Sequence, residues 1–362
     1  MTAPLERTGP KRGHRPQSFL RTKAAFSLDM RAIMSMDKDE NSEEAFWCFT
    51  NLRYARTDGQ PECPKCKCRT TYTIRRRNPR SIKFKCKACE FQFSPTSGTK
   101  LRYHKLSYRD LVQAIALFLH APTGMAALEI SGWIKCDYRT AQLLTHRIRE
   151  IMADALAADT RPFEGKVEAD TCWIGGRIRP KNFRHERDSE SSKEIKNPYI
   201  YPYLGTGKKN VTGVVERGPN GRAFLAVADR EADSRQLVSQ KINQKTLLFT
   251  DKSSVYEGMG GEVAEHLTVN HSLYFWSGEA DTNTVESLFA FVKRTARVYH
   301  KIAHPEFAEL FMAEDAWRWT HRRVPTDEKF AKLIGAIALG GRSTKRGFWK
   351  KRYGAGAQQR PQ

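Results

Sequence analysis

Two sets of residues in this chain have types and spacings that could do chemistry. The first is a pair of Cys-x-x-Cys knuckles, "CPKC" with Cys63 and Cys66 and "CKAC" with Cys86 and Cys89, about 19 residues apart. Each short knuckle presents two thiolates to one tetrahedral ion, so the pair reads as a closed, structural zinc site. The second set is three carboxylates: Asp170 in "VEADTCWIGG", Asp251 closing the apolar run "KTLLFTD", and Glu286 in "DTNTVESLFAFVKR". Three carboxylates brought together repel one another unless cations intervene, and hard Mg²⁺ or Mn²⁺ ions prefer such oxygens. Two ions about 3.5–4 Å apart would clamp the attacking and leaving oxygens of an in-line phosphoryl displacement.

Neighbouring residues extend both sets. On a helix, Asn283, Glu286, Ala290 and Lys293 share one stripe, so Lys293 points the same way as Glu286 and can hold a phosphate as a point charge. Glu168 is the nearest rival to Asp170, two residues earlier on the same strand face. Cys68 competes for a place at the zinc, whereas Cys48, Cys136 and Cys172 have no partner spacing and read as small buried apolar residues.

Strands and helices must carry these groups. Strand-forming flanks about the Asn-Pro of "TTYTIRRRNPRSIKFKC" predict a basic hairpin between the knuckles, hence a zinc ribbon. Helical periodicity over 107–156 predicts three helices, around 107–120, around 124–131 and from about 137 with Asp137 as N-cap, in a helix-turn-helix-like arrangement. Beyond residue 165 come strands at 165–176, 209–218 and 222–230, a short helix at 233–243, a strand at 245–251, and helices at about 283–294 and 305–323. That order is the order of an RNase H-like α/β fold with a mixed sheet, in which the strand ending at Asp251 runs beside the strand of Asp170. The charged insert 179–198 reads as a mobile loop.

Composition sets the partner. The 362 residues suffice for two or three domains, and 62 Lys+Arg against 40 Asp+Glu give a net charge of +22 with a pI near 9.7. Such an excess points to a polyanion, most often nucleic acid. Candidate DNA contacts are Arg75, Arg76, Arg77 and Arg80 in the hairpin, Arg139, His146, Arg147 and Arg149 in the last of the three helices, and Arg294 beside Lys293. No apolar run is long enough to span a membrane, and the basic opening lacks the apolar core of a secretory signal, so a cytoplasmic, nucleoid-associated protein is expected.

Taken together, "CPKC…CKAC…FSPTSGTK", "VEADTCWIGG", "FTDKSSVY", "VNHSLYF", "DTNTVESLFAFVKR" and "AEDAWRWTHRR" resemble bacterial insertion-sequence DDE transposases with an N-terminal zinc ribbon, in the insertion-sequence family numbered fifteen ninety-five. The resemblance runs from about residue 40 to 325. It implies that Asp170 and Asp251 are the first two ligands of catalytic Mg²⁺ or Mn²⁺, with Glu286 the third and Asn283 in reserve, and that Lys293 is the basic residue one face along. The chain departs from the family pattern at Thr171, where an acid is common, and at Asp281, where a His is common.

The layout expected is a basic disordered arm over 1–40, the zinc ribbon over 41–100, the helix-turn-helix-like segment over 101–160, the catalytic domain over 161–325 and a basic tail over 326–362. The activity implied is cleavage at the ends of a mobile element and joining of the 3′-hydroxyls to double-stranded target DNA, by a homo-oligomer on paired ends. Two other readings compete: a catalytically dead zinc-ribbon DNA-binding protein, and an RNase H-like nuclease or resolvase that cuts without joining.

Overall fold

Apolar residues recurring every three to four positions fold the first half of the chain into helices around a short sheet. The computed structural model describes residues 30–36, 43–74, 82–174, 209–228, 230–269, 282–299 and 307–344. Helices α1 (Met30–Ser35) and α2 (Glu44–Arg53) precede an antiparallel sheet of β1 (Thr71–Ile74), β2 (Lys83–Cys86) and β3 (Gln92–Phe93). Then come α3 (Tyr108–His120), α4 (Ala127–Ile134) and α5 (Tyr138–Ala157). Ser107 caps α3 by accepting from the Asp110 amide at 3.0 Å, and Asp137 caps α5 by accepting from the Arg139 amide at 2.8 Å. Each cap satisfies an amide that the first helical turn cannot.

The second half alternates strands and helices: β4 (Phe163–Ile174), β5 (Lys209–Glu216), β6 (Ala223–Ala228), α6 (Asp233–Ser239), β7 (Ile242–Asp251), β8 (Glu265–Val269), α7 (Asn283–Val298), α8 (Ala308–Thr320) and α9 (Thr326–Ala336). The strands form one five-stranded sheet in the order β6-β5-β4-β7-β8. Pairs β6/β5 and β5/β4 are antiparallel, while β4/β7 and β7/β8 are parallel. The sheet is therefore mixed and, with helices packed on it, makes an α/β domain. One face buries Cys172, Ile174, Val211 and Val215 under α7 and α8; the other buries Val167, Ala169, Val214 and Leu248 against Val238 of α6 and against Tyr256 and Met259.

Two expected boundaries need correction. The span 326–362 is not a tail throughout, because its first part is α9, whose Phe330, Leu333 and Ile334 enter the same core as α3, α4 and α5. The arm 1–40 includes α1, anchored on α3 by buried Ile33. The ribbon segment opens with α2, where Phe46 meets Phe84 of β2 at 5.8 Å between ring centroids and Tyr108 of α3 at 5.0 Å. The basic run beyond residue 340 drew α9 into the tail although its own two lysines are balanced by Asp327 and Glu328, and shortness hid α1. The insert 179–198 lies outside the described residues. Among the described residues no helix is long and apolar enough to cross a membrane.

At the end of α8, His321 stacks on Trp317 with ring centroids 4.3 Å apart, and burial holds its imidazole down at about 4 from an ordinary 6.5. The folded-state value is depressed, so the contribution of His321 to stability is complete above about pH 6.5 and is lost as pH falls towards 4. His321→Gln is expected to flatten the dependence of Tm on pH over that interval. Parallel wild-type and variant curves would refute the assignment.

Candidate active site and metal centre

The two knuckles fold by one local rule. The amide of Lys67 donates to the Cys63 carbonyl at 2.9 Å, the amide of Glu90 donates to the Cys86 carbonyl at 3.0 Å, and Lys67 and Glu90 both take positive φ, +62° and +56°. Each turn closes five residues and aims its two thiols the same way. Cys63 Sγ stands 3.6 Å from Cys89 Sγ, Cys66 Sγ stands 3.5 Å from Cys86 Sγ, and all four sulfurs lie within 4.8 Å of one another. A tetrahedral zinc with Zn–S near 2.3 Å requires sulfurs about 3.8 Å apart. The four thiols fit that ion, and Cys68 stands outside their cluster, accepting from the Thr70 amide at 3.4 Å. The purified chain is expected to carry one zinc, and Cys63→Ser to lose it together with the ribbon's protection from protease. Retention of full zinc content by that variant would exclude this ligand set.

The acids are placed by strand register. Parallel pairing of β4 with β7 sets Val167 against Leu248 and ends with Glu168 against Phe249; continued for two residues past that last pair, the same offset sets Asp170 against Asp251. Adjacent strands lie about 4.8 Å apart. Both acids also project from one face. Arg217 pairs with Glu168 at 2.6 Å and lies 3.9 Å over the Phe249 ring, so Glu168 and Phe249 share a side, and Asp170 and Asp251 follow each of them by two residues. Burial raises the Tyr256 hydroxyl above its ordinary range, and the charges of Asp170, Asp251 and Glu231 add to the rise, which puts both aspartates within electrostatic reach of one phenol.

Helix α7 carries Glu286. Its buried stripe of Val285, Leu288, Phe289 and Val292 packs on Cys172, Ile174, Val211 and Val215, the sheet face of Asp170. Its exposed stripe carries Asn283, Glu286, Ala290 and Lys293. Thr282 offers its hydroxyl to Glu286 Oε1 at 3.5 Å. Burial pushes the Cys172 thiol up to about 12, while Lys293 lowers it and Asp170 raises it, so both charges act on this thiol. The carboxylates of Asp170, Asp251 and Glu286 do not draw together as tightly as the four thiols; among the described residues the cysteines form the one compact group of three or more metal-ligating side chains. Asp170 and Asp251 stand on one sheet face and Glu286 on the helix packed over that face; all three offer hard oxygens, which suit Mg²⁺ or Mn²⁺ better than a soft ion.

Sequence reasoning missed what seats α7. The N-cap Thr282 makes no side-chain capping bond; fully buried Glu168 instead accepts from the amides of Thr284 at 2.7 Å and Val285 at 2.8 Å. A negative carboxylate thus neutralises the positive end of the helix from a distant strand. Burial raises the Glu168 carboxyl above the usual range, opposed by those hydrogen bonds and by Arg217. Its oxygens are engaged, so this rival of Asp170 positions the helix rather than offering a ligand. No local sequence signal marks a cap supplied from more than a hundred residues away.

Close approach of α7 also needs Gly213, which faces Asp170 across the β4/β5 pair. A Cβ there would meet Phe289 Cε1 at 2.8 Å and Val285 Cγ2 at 3.3 Å. Gly213→Val is expected to lift α7 from the sheet, to cost about 1–3 kcal/mol as an overpacked core, and to impair any chemistry that needs Glu286 beside the aspartates. A stable, fully active Gly213→Val chain would show that this seating is unimportant.

The proposed DNA contacts divide. Arg139 and Arg294 are exposed. Arg147 is a correction: it is 8% exposed and burial lowers its pKa, because α5 turns inward after its first turns and buries that length of helix. His146 and Arg149 are buried likewise, Arg149 in an ion pair with Glu314 at 2.7 Å. Arg75, Arg76, Arg77, Arg80 and Asp281 lie outside the described residues.

Residues 162–320 match the family model of the ISXO2-like transposase domain, a span that begins just before β4, ends with α8, and includes Glu168, Asp170, Asp251 and Glu286. No curated protein matches the chain.

Proposed function

We propose that this chain, whose residues 162–320 belong to the family of ISXO2-like transposase domains, cuts the ends of a mobile DNA element and joins their 3′-hydroxyls to target DNA. The transposase family carries the general role; the observation that supports the chemistry is the parallel register of β4 and β7, which sets Glu168 against Phe249 just before Asp170 and Asp251, with α7 packed on the sheet face of Asp170. The strand order β6-β5-β4-β7-β8 supports an RNase H-like reading of the domain.

In this reading Asp170, Asp251 and Glu286 hold two divalent cations, with Asn283 the reserve for Glu286. Such ions, when bound, activate an oxygen nucleophile and neutralise the leaving oxygen. Water attacks phosphorus at the element end and the 3′-oxygen departs as a hydroxyl. That 3′-oxygen then attacks a phosphodiester of target DNA and expels the target's own 3′-oxygen, so one P–O bond forms for each that breaks and no covalent enzyme intermediate is needed. Lys293 and Arg294, on the exposed side of α7, hold backbone phosphates in line. The zinc ribbon and the exposed first turn of α5 position the duplex, and joining two ends calls for more than one copy of the chain.

The decisive experiment mixes purified chain, Mg²⁺, labelled duplexes from the DNA bordering its own reading frame, and a plasmid target. Labelled strand covalently joined to plasmid is the expected product. Cleavage without joining would replace this reading with a nuclease or resolvase, and binding with neither reaction would leave a DNA-binding protein.

A further inference from the structure

Away from the acids, a groove of about 920 Å³ runs between the ribbon and the end of α2 on one side and the ends of α5, α8 and α9 on the other. Seven Lys and Arg side chains line it against two acids, Glu62 and Asp159. Glu62 meets Lys67 at 3.7 Å and Arg69 at 3.9 Å, long contacts with both cations mostly exposed, and such pairs neutralise little. Asp159 is engaged by Arg161 at 2.6 Å and by Arg222 at 3.4 Å. Arg53 and Arg56, from the last turn of α2 and the 3₁₀ turn Ala55–Thr57, make no ion pair among the described residues, and the buried Arg53 Nε donates to no acceptor there. Burial lowers the pKa of Arg53, with Arg56 adding a like charge. An anion entering the groove would relieve both effects.

We propose that this groove holds the phosphodiester backbone of duplex DNA at a point away from the strand being cut, an inference that rests on the transposase reading. Its walls offer both cations and apolar Leu156, Ala336 and Leu339, a surface that suits phosphate oxygens and deoxyribose edges. Its position separates it from the chemistry. Arg222 joins Glu216 at the far end of β5, three residues and about 10 Å along the strand from Gly213, the partner of Asp170. None of its residues belongs to the basic hairpin, the first turn of α5 or the exposed face of α7. The chain therefore grips DNA at a further point, where the ribbon meets the helices.

Fluorescence anisotropy of a labelled duplex of mixed sequence, titrated with the full zinc-loaded chain between 50 and 200 mM salt, tests this. Each phosphate contact contributes about 0.9 to the slope of log K against log salt. Arg53→Gln with Arg56→Gln is expected to lower that slope by about 1.8, and the exposed pair Arg56→Gln with Arg69→Gln to lower it similarly should partly buried Arg53 prove needed for folding. The control Arg235→Gln with Lys245→Gln, beside α6, leaves it unchanged. An unchanged slope in both groove variants overturns the groove while leaving the transposase reading intact. A wild-type chain with no salt-dependent binding overturns the nucleic-acid reading itself.

Discussion

Asp251→Asn is expected to lower strand cleavage and joining by roughly three orders of magnitude or more, the scale of loss when one member of a cooperating catalytic set is removed, with duplex affinity within about twofold of wild type. Asn matches Asp in shape, so β7 keeps its parallel pairing with β4 and β8. What disappears is half of the negative charge at the level where Asp170 and Asp251 stand side by side. Asp170→Asn should cost as much, and the double variant little more, if the two are ligands of one cation site as proposed. Gel-based cleavage with anisotropy on the same preparations separates chemistry from binding. Cleavage retained in Asp251→Asn would remove this residue from the chemistry.

The largest effect on stability is expected from Glu314→Ala. Fully buried Glu314 accepts from Arg149 of α5 at 2.7 Å, from Arg318 at 2.8 Å and from the Tyr299 hydroxyl at 3.0 Å. The two guanidiniums hold its carboxyl below the usual range against the opposing effect of burial. Arg318 also donates to the carbonyls of Phe118 and Ala121 at the end of α3, so one carboxylate ties the first helices to the α/β domain. Removing it strands two buried cations, a loss of about 3–5 kcal/mol for a broken buried pair. Urea unfolding measures it. Arg149→Met combined with Glu314→Leu should recover part of that loss, since apolar replacement of both partners avoids the stranded charge. A loss under about 1 kcal/mol for Glu314→Ala would mean that water reaches the cluster and screens it.

Much of the fold was legible because periodicity is local. Asp137 before an amphipathic run is a cap in sequence and in structure, and the apolar run ending on Asp251 is the strand it looks like. The paired knuckles were legible too, since their spacing is set by turn geometry. Contacts reaching across the chain were not. Glu168 reads as a spare carboxylate until β4 and α7 are packed, and Arg147 and Arg149 read as groove contacts until that length of α5 is buried, Arg149 against Glu314 of α8. Helix α9 was merged with the basic run that follows it, although its Phe330, Leu333 and Ile334 already had helical spacing. Charge alone does not separate a solvated tail from an amphipathic helix.

The most direct measurement is anomalous diffraction from crystals of the full chain soaked in Mn²⁺. Two peaks about 3.5–4 Å apart, touching the carboxylates of Asp170, Asp251 and Glu286, are the expected result. Manganese bound only elsewhere, with these three acids bare at saturating ion, would contradict a metal-dependent phosphoryl-transfer site on this sheet.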